Sequence, residues 1–406
     1  MVAGRDIICF GDDWGRHPQV LEHLVRILAR ENRVLWVNSL GHRAPRLRGK
    51  DLIRMAEKIR SATQGTEVGE KNISVLRPLG LPWHDSRIVR KLNGFLLGFA
   101  LRRRMRSLSF SSPILLTNSP VMHEVIGTLG ETVTVYYCLD DYAAFDGALR
   151  TMKSIEQELL SKIDVAFYVT EHLLRQKKNQ PQHASVMPQP VNFEHFTHPR
   201  HAAAPDPFPG VRRPIIGYVG LVETVNWLDL PLLAEVARRR PEWSFILIGP
   251  VQTDVAPYAQ LRNLTFLGPI PYSEIPRYML RFDVGLIPRK INEVTTACNP
   301  IKLLEYFSLG LPVVSTPLPA VEQFGELVAI AATPDELERR ITEVLSASPQ
   351  ELRTKRVGTA ERLSWSRVAQ EQFGVIEKAE RERYSRRGSG KATGQYTGVT
   401  RRRERA

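Results

Sequence analysis

The segment Asn299-Pro-Ile-Lys-Leu-Leu-Glu305 sets a lysine and a glutamate three residues apart, just behind an asparagine and a proline. Pro300 suits the first turn of a helix, where its missing N–H is no loss, and Asn299 ahead of it suits the N-cap. A helix start facing a cleft offers free backbone N–H groups and the positive dipole end to a phosphate. Lys302 and Glu305 would share that mouth, a base beside the phosphate and a carboxylate able to accept from two vicinal hydroxyls. Ribose carrying a diphosphate is the ligand this pattern suggests.

Three further groups have the types needed for chemistry. Gly11-Asp-Asp-Trp-Gly-Arg-His17 fills the turn after the first apolar run, and its glycines let the backbone approach a ligand closely. Arg16 is the candidate base of that loop, ahead of His17. Asp140 and Asp141 close the run Val133–Cys138, where either could orient or deprotonate a hydroxyl, and two adjacent carboxylates repel enough to need a reason. Arg289 and Lys290 follow the run ending at Pro288. His123 is carried as a candidate catalytic histidine near a strand end, while His172 reads as a wall or surface residue.

The elements that must position these residues alternate. Short β-branched and aromatic runs at Ile7–Gly11, Val34–Ser39, Ile73–Leu76, Ile114–Asn118, Val133–Cys138, Val165–Thr170 and Ser185–Met187 are separated by helical stretches such as Pro18–Arg30, Ser86–Leu108 and Met152–Lys162. A second series runs through Ile215–Val219, Phe245–Ile248, Leu264–Leu267, Val284–Pro288, Val313–Ser315 and Val328–Ala331. Between the series lies a proline-rich stretch with no periodic apolar signal, which reads as a linker. The 406 residues are thus expected to form an α/β protein of two Rossmann-like, doubly wound domains facing across a cleft. The expected boundaries are 1–197, a linker at 198–212, a second domain at 213–364, a helix at 365–384 packing back toward the first domain, and a disordered basic tail at 385–406.

The formal net charge is +13, and it is concentrated in two places. Arg87–Arg106 carries seven bases and no acid, interleaved with Ile88, Leu92, Phe95, Leu96 and Phe99, and the tail from Ser385 carries seven bases against Glu404. The first of these has the mixture of apolar surface and positive charge that lies on anionic lipid. Nucleic acid is disfavoured as a partner, since no RNP, KH, zinc-finger or recognition-helix pattern occurs. Cys9, Cys138 and Cys298 follow no ligand spacing, no long uncharged apolar run is present, and no leader pattern opens the chain. These features fit a reduced cytosol and disfavour export and membrane spanning.

Several segments together resemble the glycosyltransferases of the two-Rossmann-domain type (GT-B), and among them the GT4-like group that includes teichuronic acid and exopolysaccharide biosynthesis enzymes. In the second half these are Ile216-Gly-Tyr-Val-Gly220, Trp243–Pro250, Asn263–Gly268 and Asn299–Thr316; in the first they are Val135–Tyr142 and Met187–Phe196. The resemblance implies a nucleotide-sugar donor, as substrate and with no cofactor, held by Gly220, Glu223, Gly249, Pro250, Arg289, Lys290, Asn299, Ile301, Lys302 and Glu305. It implies a glycan or polyprenyl-linked acceptor on the first domain, near Asp140, Asp141, Arg16 and His123. Transfer to a bacterial surface polysaccharide, by a cytoplasmic protein peripheral at the inner face of the cytoplasmic membrane, with retained configuration and without a metal, would follow; the absence of a D-x-D sequence agrees with the last point.

Glu305 matches the second glutamate of the family's E-x7-E motif, but position 297, where the first belongs, is Ala297, with Glu293 as a nearby substitute. Two alternatives stay open: a sugar-nucleotide epimerase or hydrolase, since epimerases share this architecture, and a non-catalytic scaffold that binds a nucleotide sugar or a membrane, suggested by Ala297 and by the lack of a base in Leu221–Trp227 after Gly220.

Overall fold

The computed structural model describes residues 3–15, 20–40, 67–81, 83–145, 147–198, 205–346 and 349–388. Arg16, His17 and the tail beyond Gly388 therefore lie outside the described residues.

The first sheet has eight strands: β1 (Asp6–Gly11), β2 (Arg33–Asn38), β3 (Glu67–Glu70), β4 (Ile73–Leu76), β5 (Ile114–Thr117), β6 (Val133–Cys138), β7 (Val165–Tyr168) and β8 (His183–Val186). Their spatial order is β3-β4-β2-β1-β5-β6-β7-β8, parallel throughout except for β3 against β4. β3 has no counterpart among the expected strands. The second sheet has six parallel strands: β9 (Ile215–Val219), β10 (Ser244–Ile248), β11 (Leu264–Gly268), β12 (Val284–Ile287), β13 (Val313–Ser315) and β14 (Val328–Ile330). Their order is β11-β10-β9-β12-β13-β14.

Both sheets are covered on both faces, which is why their strands read as unbroken apolar runs. Along β1 the side chains alternate: Ile8 and Phe10 join one buried cluster with Leu35, Val37 and Leu115, while Ile7 and Cys9 join another with Val34, Trp36 and Ile114. The helix Val20–Leu28 covers the second of these faces with Leu21, Leu24, Val25 and Leu28, the spacing of one helical stripe.

The second core takes in Val191 and Phe196, which lie ahead of the proline-rich stretch. The chain has therefore reached the second domain before residue 197, because Phe196 is drawn into that core. At the other end the helix Trp365–Gly388 returns to the first sheet, burying Trp365, Ala369, Phe373, Ile376 and Ala379 against it. Tyr137 there donates to Gln372 at 3.1 Å, and Arg5 pairs with Glu380. The helix runs to Gly388, so the expected start of the tail at Ser385 falls inside it.

Candidate active site

In an open α/β sheet, ligands bind beyond the carboxyl ends of the strands where the strand order reverses. The first sheet reverses between β1 and β5, and the second between β9 and β12. Gly11 ends β1, and Asp12 and Asn118 follow the first pair; Gly220 and Arg289 follow the second.

The second-domain edge is built by close backbone packing. Gly220 donates to the Ile248 carbonyl at 2.9 Å, and Gly249 donates to the Gly268 carbonyl at 2.9 Å. Gly249 has φ +143°, and a Cβ placed on it would lie 1.9 Å from the Gly220 carbonyl oxygen. Gly249→Ala should therefore lower unfolding stability by about 1–3 kcal/mol from backbone strain alone, read in urea denaturation. A variant as stable as wild type would show that this edge yields easily.

Arg289 comes off β12 with its guanidinium carbon 5.0 Å from the Trp227 ring centre and Nη1 3.8 Å from the Cys298 sulfur. The same guanidinium acts on Asp140 of the first domain. Burial above all, with Asp12 and Asp141 adding to it and Arg289 opposing it, pushes the Asp140 carboxyl up to about 7. Asp141 points elsewhere: its Oδ1 is 3.5 Å from Lys177 Nζ, which also holds Glu156 at 2.8 Å. The adjacent pair is thus divided, with Asp140 toward the second domain and Asp141 tied inside the first.

The segment after Cys298 departs from its expected form. The helix is Lys302–Ser308 with Ile301 at the N-cap and no side-chain cap bond, so Asn299 does not cap it. Asn299 Nδ2 instead donates to the Val169 carbonyl of the first domain at 3.2 Å, while the Pro300 carbonyl accepts from Leu303 N at 3.0 Å. A contact between domains has taken the side chain that local spacing assigned to the helix. Glu305 is buried, and its Oε2 lies 2.5 Å from Lys302 Nζ. Burial pushes this carboxyl up and Lys302 pulls it down.

Glu223 accepts from Val225 N and from Asn226 N at 3.1 Å, so its carboxylate holds its own loop. Lys290 N donates to the Trp227 carbonyl at 3.0 Å and Asn292 Nδ2 to the Asn226 carbonyl at 2.8 Å, joining that loop to the one carrying Arg289. Pro250 is exposed, and its carbonyl accepts from Val222 N. Ala297 is buried among first-domain side chains, with its carbonyl accepting from Thr170 Oγ1 at 3.2 Å. Glu293 is exposed on the first turn of the helix Glu293–Ala297, one turn away from position 297.

His123 is not brought to this edge. It is fully buried behind a 3-10 turn, Pro120–Met122, and its ring faces Glu124 and Glu158. That turn leads the chain away from the end of β5 toward the helix Met152–Leu160. His172 is half-buried with its Nε2 2.7 Å from Gln176 Nε2.

Sequence reasoning passed over Asn118 and Ser119, directly beyond β5. Asn118 Oδ1 and Ser119 Oγ are buried without a hydrogen-bond partner at the reversal point of the first sheet. Asn118 reads in the sequence only as the last residue of the strand Ile114–Asn118, and the signal that could have found the pair is a polar Asn-Ser-Pro step closing an apolar run.

Two Rossmann-like parallel sheets in tandem, each with its own reversal point, make up the GT-B fold. Residues 213–347 match the family described as Glycosyl transferases group 1. Over 182 residues the chain is 27% identical to the Bacillus subtilis (strain 168) protein named "Putative teichuronic acid biosynthesis glycosyltransferase TuaH". That match takes in 43% of this chain and 45% of the relative, so less than half of the relative's length is spanned.

Among solved structures, Anabaena Alr3699/HepE in complex with UDP superposes with a TM-score of 0.65 at 13% identity, over 92% of this chain and 100% of that one. Sucrose-phosphate synthase from Thermosynechococcus elongatus gives 0.65 at 13% identity, over 92% and 98%. At such identities the likeness is one of fold.

Proposed function

We propose that the protein is a glycosyltransferase that moves a sugar from a nucleotide-sugar donor on the second domain to a hydroxyl of an acceptor on the first. The observation that carries this reading is that Asp140, just beyond β6, lies within the electrostatic reach of Arg289, just beyond β12, a raised carboxyl at one sheet edge and a cation at the other. The acceptor oxygen attacks the anomeric carbon on the face from which the diphosphate departs, so that configuration is retained; the bond from that carbon to the diphosphate oxygen breaks, and the acceptor proton passes to Asp140. Arg289 and Lys302 take up charge on the departing diphosphate, and Glu305 holds the ribose. Transfer with retained configuration and without a metal belongs to the same proposal. The match of residues 213–347 to group 1 glycosyl transferases supports it, as does UDP in a structure of the same fold.

The test is calorimetry with UDP, GDP, ADP, TDP and CMP, followed by nucleotide release from the matching sugar conjugates with and without acceptors. Glu305→Gln should weaken nucleotide binding by about 1–3 kcal/mol, the usual loss when a charge-assisted acceptor goes. Unchanged affinity would remove Glu305 from the ribose site. Nucleotide binding without turnover across a broad acceptor panel would favour the scaffold reading, for which Ala297 is the motive.

The acceptor side of the proposal rests on the helix Arg87–Leu108. Its inner face buries Leu97, Leu101 and Met105, while Ile88, Leu92, Phe95 and Phe99 form an exposed stripe on the other. Trp83 and Leu81 extend that surface, and Arg87, Lys91, Arg103 and Arg106 are exposed with it. Arg90 is not part of this face: it is buried and donates to the His84 carbonyl at 2.8 Å. An exposed apolar stripe beside bases suits the surface of an anionic membrane, and so an acceptor carried on a polyprenyl lipid or a growing surface glycan. No helix among the described residues is long and apolar enough to cross a membrane.

A further inference from the structure

We propose that His123, Glu124 and Glu158 form a site for a divalent transition-metal ion of the zinc class, which clasps the turn after β5 to the helix Met152–Leu160. The imidazole Nε2 lies 3.1 Å from Glu158 Oε2 and 3.4 Å from Glu124 Oε1. One ligand atom from each of the three residues falls within 4.8 Å of the others. Tetrahedral zinc with bonds of about 2.0–2.1 Å sets its ligand atoms about 3.3 Å apart, so both short distances fit edges of such a shell. One nitrogen and two carboxylate oxygens leave a fourth position for water.

The histidine ring points to the same conclusion from a different observation. His123 has no exposed surface, yet its Nε2 makes no hydrogen bond despite the two carboxylates beside it. Its Nδ1 lies 3.3 Å from the Pro120 carbonyl oxygen. With a proton on Nδ1 directed at that carbonyl, Nε2 carries a lone pair toward two anionic oxygens. This is the second-shell arrangement that fixes the tautomer of a metal-bound histidine. The other neutral tautomer sets a lone pair against the carbonyl instead.

Burial holds the ring below its ordinary pKa, against the upward pull of Glu124 and Glu158. Lys162, the cation that faces this group, gives its Nζ to the His123 carbonyl at 2.7 Å. A cation between the three ligand atoms would relieve the opposition of lone pairs that either neutral tautomer leaves. Glu158 sits on the helix that leads out of the Asp140 loop, so the clasp would hold that helix against the turn following Asn118 and Ser119.

The experiment is a zinc titration of chelator-stripped full-length protein by calorimetry, with thermal melting and cobalt absorption on the same samples. Wild type should bind zinc, melt higher with it, and give the strong visible bands of four-coordinate cobalt. Glu158→Gln changes a half-exposed side chain and should fold as wild type, yet weaken zinc binding at least about tenfold and lose the cobalt bands. His123→Asn should behave likewise if it folds. Zinc binding of equal strength in wild type and Glu158→Gln would place the ion elsewhere and overturn the proposal. So would no response to zinc in wild type.

Discussion

Asp140→Asn should lower kcat by about 10²–10⁴-fold while leaving nucleotide affinity near that of wild type, the loss typical of a positioned general base. Turnover and calorimetry on the same variant separate the two readouts. Because the carboxyl titrates at about 7, kcat/KM of wild type should rise tenfold per pH unit below that value and level off above it. The variant should lack this inflection. An unchanged profile would remove Asp140 from proton transfer, and a rate within a few-fold of wild type would remove it from the chemistry altogether.

The same shift makes a statement about stability, with the opposite sign to the usual carboxylate. The folded protein holds the Asp140 proton up to about 7, whereas an unfolded chain releases it near the ordinary value of 3.8. Its contribution to stability is fully present below that lower value and is lost as the pH rises through about 7. Asp140→Asn should therefore melt above wild type at pH 8 and close to it at pH 4. A carboxylate kept half-buried beside Asp12 and Asp141 is thus a stability cost that the site accepts for reactivity.

What the sequence discloses and what it hides follow from which contacts are local. The parallel strands were legible because a strand covered on both faces is an unbroken apolar run, as in Ile7–Gly11 or Val133–Cys138. β3, with the sequence Glu-Val-Gly-Glu at a sheet edge, carries no such signal and is a strand only through its pairing with β4. The chemical types at Asp140, Asp141 and Arg289 were readable, but the division of the aspartate pair depends on Lys177, which comes from another element. Asn299 shows the reverse failure, since a sound capping pattern lost to a contact with Val169 in the other domain. Likewise, the run of bases in Arg87–Arg106 looks like one charged face until Arg90 is seen to turn inward and hold the loop before the helix.

Replacing Ile88, Phe95 and Phe99 together by serine should abolish most of the binding to vesicles of anionic lipid. Their exposures are 80%, 66% and 60%, so they make little of the core and the triple variant should melt as wild type does. Half-burying three such side chains in a lipid interface contributes about 3 kcal/mol, on the order of a 10²-fold change in partitioning. Arg103→Gln with Arg106→Gln should act differently, removing about 1 kcal/mol per base on anionic vesicles and almost nothing on neutral ones, with added salt giving the same loss. Vesicle co-sedimentation across lipid charge and salt therefore separates the apolar stripe from its bases. If wild type binds neither vesicle type, the stripe faces something other than lipid, and the acceptor is met in solution. If it binds both equally, the apolar stripe alone holds the protein and the bases serve the acceptor, whose phosphate they would then meet at the membrane surface.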